Sequence, residues 1–347
     1  MLLPGFGPID DPAGQRRVRA ATVAVVGCGA LGGPIAEWLC RAGVGRLILI
    51  DRDIVEITNL QRQVLFGEAD VDKPKAEAAR ARLASINSDV TIEARIADLV
   101  GPRSEHLLTA DDGAQPDVIA DGTDNFETRY VLNDVAHKWR VPLVYGGAVG
   151  TSGMTMTIKP GKSLCLRCIA DGPPAPGTMP TCDTAGVLGP TTGVVAAMQA
   201  AAVLRLIVEP ERAQAGVLTE LDPWLGTTRR LDLNGGKRDD CPCCAHGRYE
   251  YLEAAAEDTA SLCGRDAVQV RPRSTGDFDL AAAADRLRAH GEFKATAFMA
   301  KGTLASERTD EGDGVCSLTV FADGRAVIGG TARPERARSI YAKYLGA

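Results

Sequence analysis

The chain has 347 residues, 45% hydrophobic and 24% charged, a composition that excludes disorder, collagen and coiled coil and fits two or three modules. Its formal net charge of −6 argues against nucleic-acid binding held by bulk positive charge. Mean hydropathy near zero excludes a membrane bundle, and with neither a basic region nor a long apolar run at the N-terminus the expectation is a cytoplasmic protein.

Residues 11–20 read as a short helix, with Asp11 as cap and Pro12 in the first turn. Thr22–Val26 is an apolar β-branched run of the kind found in the middle of a parallel sheet. A glycine turn follows, then a helix to about Ala42 and a second apolar strand at 47–50. This strand–helix–strand unit opens a Rossmann-like, doubly wound, mostly parallel α/β sheet. A helix is expected over 73–86 with Asp72 as its cap, strands over 90–96 and 117–120, a helix from about Asn125 to Trp139, and a strand at 142–145.

Beyond about residue 150 the alternation changes, with strands at 155–158, 216–221 and 228–233. Residues 191–208 are the most apolar stretch, yet they carry Gln199 and Arg205 and read as a buried helix rather than a lipid span. Residues 171–180 hold four prolines and two glycines and form a loop; Asn234-Gly235-Gly236 marks a second break. From Tyr251 an acidic, Ala-rich segment leads to a strand at 266–270 and a helix at 280–290. A hairpin then turns at Asp323-Gly324 between strands 317–321 and 326–328, and a last helix covers 334–344. The expected division is a Rossmann-like half over 1–150, a second part of the same domain over 151–250, and a small α+β module over 251–347.

Gly27-Cys28-Gly29-Ala30-Leu31-Gly32 follows a strand and opens a helix, the context in which G-x-G-x-x-G cradles a phosphate. Asp51 ends the next strand, where a carboxylate accepts ribose hydroxyls. These features specify an adenine nucleotide; NAD, FAD, S-adenosylmethionine and ATP all remain open. Asp53, Thr58, Asn59, Arg62 and Gln63 come next, and Lys75 lies in the first turns of the following helix. Arg62 and Lys75 suit the several charges of a triphosphate. Asp124, with Asn125, stands at the carboxyl end of strand 117–120, where a carboxylate can hold Mg²⁺ or cap the following helix.

Ten cysteines in a chain with four histidines point to all-cysteine metal ligation. Cys165 and Cys168 form one C-x-x-C, and Cys241 and Cys244 another; together they offer four thiolates to a structural Zn²⁺ stapling distant segments. Redox activity is the rival, but neither pair opens a helix after a strand. Cys243 is an alternative to Cys244. Cys182 closes the Pro-rich loop, from which a thiol can reach an activated acyl group.

The stretches VAVVGCGALGGPIAEWL, LILIDRDIVEITNLQRQ, DGTDNFETRYVLND, VPLVYGGAVGTSG, CLRC, TCDTAGVLGP and CPCC, in this order, resemble the ThiF/MoeB family, bacterial relatives of ubiquitin-activating enzymes. The resemblance runs from about Leu3 to Gly247. SLCGRDAVQV and LTVFADGRAVIGGT in the tail are similar to the extension of longer ThiF-like proteins. It implies ATP-dependent adenylation of the C-terminal Gly-Gly of a ubiquitin-like sulfur carrier, ThiS-like or MoaD-like, in a homodimer. A cysteine desulfurase or another sulfur donor would be a further partner. Thiazole synthesis for thiamine is the expected pathway; molybdopterin synthesis, or a non-catalytic nucleotide-binding scaffold, is the alternative.

The implied roles are Arg62 and Lys75 at the phosphates, Asp124 at Mg²⁺, Asp51 at the ribose, Asn59 lining the phosphate site and Cys182 in covalent sulfur or acyl chemistry. Two departures stand out. Family members carry an N-terminal arginine that reaches the other subunit's ATP, and this sequence opens at Met1-Leu-Leu-Pro-Gly-Phe-Gly. An upstream start, substitution by Arg16 or Arg17, or weakened adenylation is expected. Ala30 also stands where many members have glycine.

Overall fold

Apolar β-branched runs flanked by helices bury both faces of a sheet, and the first half of the chain follows that rule. The computed structural model describes residues 13–174, 178, 185–254, 259–262, 266–271 and 278–346, and divides into two units, Met1–Ala255 and Ala256–Ala347.

In the first unit, strands β1 (Thr22–Val26), β2 (Arg46–Ile50), β3 (Thr91–Arg95), β4 (Val118–Asp121), β5 (Leu143–Val149), β6 (Ser152–Ile158), β7 (Val217–Asp222) and β8 (Thr227–Asp232) form one sheet of order β3-β2-β1-β4-β5-β6-β7-β8. The pairs from β3 to β5 are parallel and those from β5 to β8 antiparallel. The sheet is thus doubly wound and mostly parallel through the half that carries the glycine turn, and the strand order reverses between β1 and β4.

Helices α1 (Ala13–Ala20), α2 (Gly32–Ala42), α3 (Lys75–Ala84), α4 (Arg103–Leu108), α5 (Phe126–Trp139), α6 (Leu166–Ile169), α7 (Gly189–Val208) and α8 (Glu250–Glu253) complete the unit. Alternate residues of β1 and β2 point to opposite cores. Val23, Val25, Leu47 and Leu49 pack with Ile35 and Leu39 of α2, Leu83 of α3 and Val195, Ala200 and Val203 of α7. Ala24, Val26, Ile48 and Ile50 pack with Val131, Leu132 and Val135 of α5 and Leu108 of α4. Among the described residues, α7 is the one helix long and apolar enough to cross a membrane. Here it is a core helix, with Gln199 fully buried.

Asp72 is not the cap of α3. It adopts φ +66° in a left-handed turn, and Pro74 occupies the cap position. A proline disfavours helical geometry in the residue before it, so Lys73 stays out and the helix begins at Lys75. Asp11, Pro12 and Cys182 lie outside the described residues.

The second unit holds β9 (Thr259–Leu262), β10 (Ala267–Val270), α9 (Leu280–Leu287), β11 (Phe293–Ala295), β12 (Met299–Arg308), β13 (Val315–Phe321), β14 (Ala326–Gly329) and α10 (Pro334–Leu345). Its strands form an antiparallel sheet, β11-β12-β13-β14-β10-β9. Leu280 and Leu287 of α9 and Ala337 and Ile340 of α10 pack with Val268, Leu318, Val320 and Ile328.

Candidate active site and metal centre

In open α/β sheets ligands bind beyond the carboxyl ends of the strands, where the strand order reverses. Here that point lies between Gly27, after β1, and Gly122, after β4. The glycines there have different reasons to be glycine. Gly27 has φ +83°, and a Cβ on it would stand 2.6 Å from the Gly122 carbonyl oxygen; one on Gly32 would stand 1.7 Å from the Gly27 carbonyl oxygen. Both are dictated by close backbone packing. Gly29 is different: among the described residues a Cβ there meets only the Gln63 amide, at 3.4 Å and beyond. Ala30 is partly exposed.

Asp51 is buried, and its two oxygens are already engaged. Oδ2 accepts from the Cys28 N–H at 2.6 Å and Oδ1 from the Asp53 N–H at 2.7 Å. Burial pushes its carboxyl up, and Lys75 and the two N–H groups oppose the shift. Lys75, also buried, donates from Nζ to Asp53 Oδ2 at 3.1 Å, and its N–H donates to the Asp53 carbonyl at 2.9 Å. Burial works against the ammonium charge, but Asp53, Asp51 and Asp124 together outweigh it and raise the pKa. Asp124 is exposed on the loop after β4. Asn125 caps α5, its Oδ1 accepting from the Thr128 N–H at 2.9 Å.

A 3-10 turn at Ile57–Asn59 shapes the segment between β2 and α3. Asn59 is buried and accepts from the Glu56 N–H at 3.3 Å; the N–H groups of Arg62 and Gln63 return to the Asn59 carbonyl. Thr58 is exposed, and its carbonyl accepts from Arg62 Nη1 at 3.3 Å. Arg62 is partly exposed and forms no ion pair among the described residues; the start of α7 at Gly189 packs against it. Gln63 is buried against the glycine turn, and its Oε1 has no hydrogen-bond partner among the described residues. Arg17 donates to the Val208 carbonyl at 2.6 Å, at the opposite end of α7 from Gly189.

Glycine turn, Asp51, Asp53 and Lys75 therefore form one connected site, and Asp124 is close enough to bias the Lys75 charge. Sequence reasoning missed Arg52, whose Nη1 lies 3.2 Å from Asp98 Oδ1, and Nε 3.8 Å from Asp53 Oδ1. Burial opposes its charge, but Asp98, Asp53, Asp124 and Asp51 raise its pKa. Its place between two aspartates was the available signal. Sequence reasoning also missed the buried Asp121–Arg129 pair beneath the loop.

Across the unit, the sulfurs of Cys165, Cys168, Cys241 and Cys244 lie within 4.8 Å of one another. Separations are 3.9 Å for Cys165–Cys168, 3.5 Å for Cys165–Cys241 and 3.4 Å for Cys168–Cys244. A tetrahedral zinc with Zn–S near 2.3 Å requires S···S edges of about 3.8 Å, so the group fits that ion. Cys243 is not one of the four but adjoins them, its sulfur accepting from Asn133 Nδ2 at 3.3 Å. The Cys165 thiol is held down to about 4, first by a hydrogen bond from Cys243, whereas burial first and Cys165 next push Cys244 up. Thiols this close do not all ionise without a cation among them.

A family model described as ThiF family matches residues 4–243. The sulfur carrier protein ThiS adenylyltransferase of Bacillus subtilis (strain 168) is 40% identical over 345 residues, 98% of this chain and 97% of that protein. The SAMP-activating enzyme E1 of Haloferax volcanii is 38% identical over 242 residues, 70% of this chain and 87% of that protein. The crystal structure of E. coli MccB shares the fold with a TM-score of 0.59 at 23% identity, covering 69% of this chain and 68% of that one. By the match over most of the first unit and the full-length similarity, the chain belongs to the ThiF family.

Proposed function

We propose that this protein is an ATP-dependent adenylyltransferase that joins AMP to the C-terminal Gly-Gly carboxylate of a small ubiquitin-like sulfur carrier and releases pyrophosphate. The observation that carries the reading is the meeting of an unfilled Gly29 face, a buried Lys75 and an exposed Asp124 where the strand order reverses. The carrier carboxylate oxygen attacks the α-phosphorus; a P–O bond forms, the α–β bridging P–O bond breaks, and pyrophosphate leaves. A carboxylate is ionised at neutral pH, so no general base is required, and catalysis is positioning plus neutralisation of charge.

In this scheme Gly27, Gly29, Ala30 and Gly32 present backbone to the phosphates, with Asn59 and Gln63 alongside. Lys75 and Arg62 meet the triphosphate, and Asp51 takes the ribose through lone pairs its backbone contacts leave over. Asp124 would hold Mg²⁺, which when bound would offset charge on the phosphate oxygens. The four-cysteine group would hold Zn²⁺ as a staple, consistent with the reducing cytoplasm in which thiolates persist. Cys182 is assigned to the later step in which a thiolate attacks the acyl carbon and AMP leaves. Similarity to a ThiS adenylyltransferase through the second unit as well as the first favours a ThiS-like carrier and thiamine synthesis over a MoaD-like one.

The test is exchange of radiolabelled pyrophosphate into ATP with Mg²⁺ and each small Gly-Gly-ending carrier from the same genome. Exchange dependent on one carrier is expected. Silence with every carrier, using zinc-replete protein, would overturn the reading.

A further inference from the structure

Directly under the nucleotide site lies a charge pair that the chemistry above does not use. Asp121 ends β4 and is 1% exposed. Its Oδ1 accepts from the Thr123 N–H at 2.9 Å and the Thr123 hydroxyl at 2.7 Å, while Oδ2 faces Arg129 Nε at 3.3 Å. Arg129, buried on α5, donates from Nη2 to the Thr123 carbonyl at 2.8 Å and to the Gly146 carbonyl of β5 at 3.1 Å. Its guanidinium carbon lies over two rings, 5.4 Å from the Phe126 centroid and 5.3 Å from that of Tyr145. Gln199 holds the same strand end, its Nε2 donating to the Asp121 carbonyl at 2.8 Å.

Thr123 is thereby held at its N–H by the carboxylate and at its carbonyl by the guanidinium, one residue before Asp124. A buried ion pair adds little net stability over apolar side chains packed in its place. What this pair does supply is direction: it ties the loop after β4 to the backbone of β5 and fixes the peptide from which Asp124 projects.

We propose that Asp121 and Arg129 are positioning residues that set the Asp124 carboxylate at the geometry a magnesium–nucleotide needs. This rests on the assignment of Asp124 made under the proposed function.

The test is the Mg²⁺ dependence of ATP binding, by equilibrium dialysis on the zinc-replete full chain, with carrier-dependent exchange measured on the same samples. Asp121→Asn keeps an acceptor for Thr123 and removes the charge opposite Arg129. Arg129→Lys keeps the charge and loses the fork that reaches Thr123 and Gly146. Both variants are expected to melt cooperatively and to raise the half-saturating Mg²⁺ about 10- to 100-fold, the usual effect of losing a group that orients a metal ligand. ATP binding without Mg²⁺ should stay as in the wild type. In an Asp124→Asn background, adding Asp121→Asn should change the Mg²⁺ dependence no further, because the residue acts through Asp124.

Wild-type Mg²⁺ dependence in folded single variants overturns the proposal, whatever their melting temperatures, as does an additive double variant. Wild-type protein that binds ATP with Mg²⁺ but exchanges no pyrophosphate overturns the adenylation reading alone, and the binding data still judge the positioning role. Wild-type protein without Mg²⁺-dependent ATP binding overturns both.

Discussion

Replacing Lys75 by glutamine is the sharpest test of the proposed site, because its catalytic and stability costs can be worked out separately. The Lys75 side chain is 5% exposed and its partner Asp53 30%. An ammonium about 4 Å from a phosphate oxygen, at an effective dielectric constant of about 20, contributes roughly 4 kcal/mol. Lys75 shares its charge with Asp53, which offsets part of this, leaving about 3–4 kcal/mol, or roughly 100- to 1,000-fold in kcat/KM for exchange. The fold should suffer less. The carboxylate left behind is partly solvated and Arg52 lies beside it, so the loss stays below the 3–5 kcal/mol, approximately, of breaking a fully buried pair. Exchange kinetics with saturating carrier, together with urea unfolding of the same samples, measure the two costs separately. Exchange within about threefold of wild type, under half a decade on the same rate scale, would refute the placement of Lys75 at the triphosphate. A Lys75→Gln protein that unfolds as readily as it loses activity would refute the claim that this lysine is kept for chemistry.

The glycine turn and the cysteine cluster yield two more expectations. Gly29→Ala should fold with stability within about 1 kcal/mol of wild type and lose ATP binding, whereas Gly32→Ala, with its Cβ 1.7 Å from the Gly27 carbonyl oxygen, should fold poorly; calorimetric ATP titration beside thermal melts separates them, and intact ATP binding by Gly29→Ala would contradict the open-face argument. Metal analysis should find one zinc per chain in wild type and in Cys243→Ser and markedly less in Cys241→Ser or after chelation, with lower melting temperatures wherever zinc is lost; retention of zinc by Cys241→Ser would remove the cluster from the account.

The sequence disclosed the parts of the fold that depend on local pattern. Thr22–Val26 and Phe126–Trp139 could be read because a buried parallel strand is continuously apolar and a helix after an Asx cap is periodic. The short α4 and the partly exposed β12 carry neither signal, and both went unseen. The same holds for the site. Gly27, Asp51 and Lys75 were visible through spacing along the chain. The Asp121–Arg129 pair was not, because an aspartate at a strand end and an arginine in a helix are ordinary surface residues until the fold closes over them. Arg52 was hidden in another way: only its approach to Asp98, beyond the next strand, shows that it is held in place. The choice between Cys243 and Cys244 is likewise a matter of three dimensions, since only the fold groups the Cys244 sulfur with those of Cys165, Cys168 and Cys241.

Asp51 joins the two levels of this account. Read along the chain it is a ribose acceptor at a strand end. In the fold its two oxygens hold the Cys28 N–H inside the glycine turn and the Asp53 N–H beside it, and Asp53 in turn holds Lys75 through both side chain and backbone. One buried carboxylate therefore sets the shape of the glycine turn and, through a single neighbour, the position of Lys75, the two parts that the proposed function assigns to the phosphates. A charge buried this deeply is costly unless it is hydrogen-bonded, and here the hydrogen bonds that make it tolerable are the ones that, in the proposed function, would organise the site before a nucleotide arrives. Such preorganisation is what electrostatic catalysis of phosphoanhydride chemistry requires, because donors and cations already in place need not be reorganised as the charge moves.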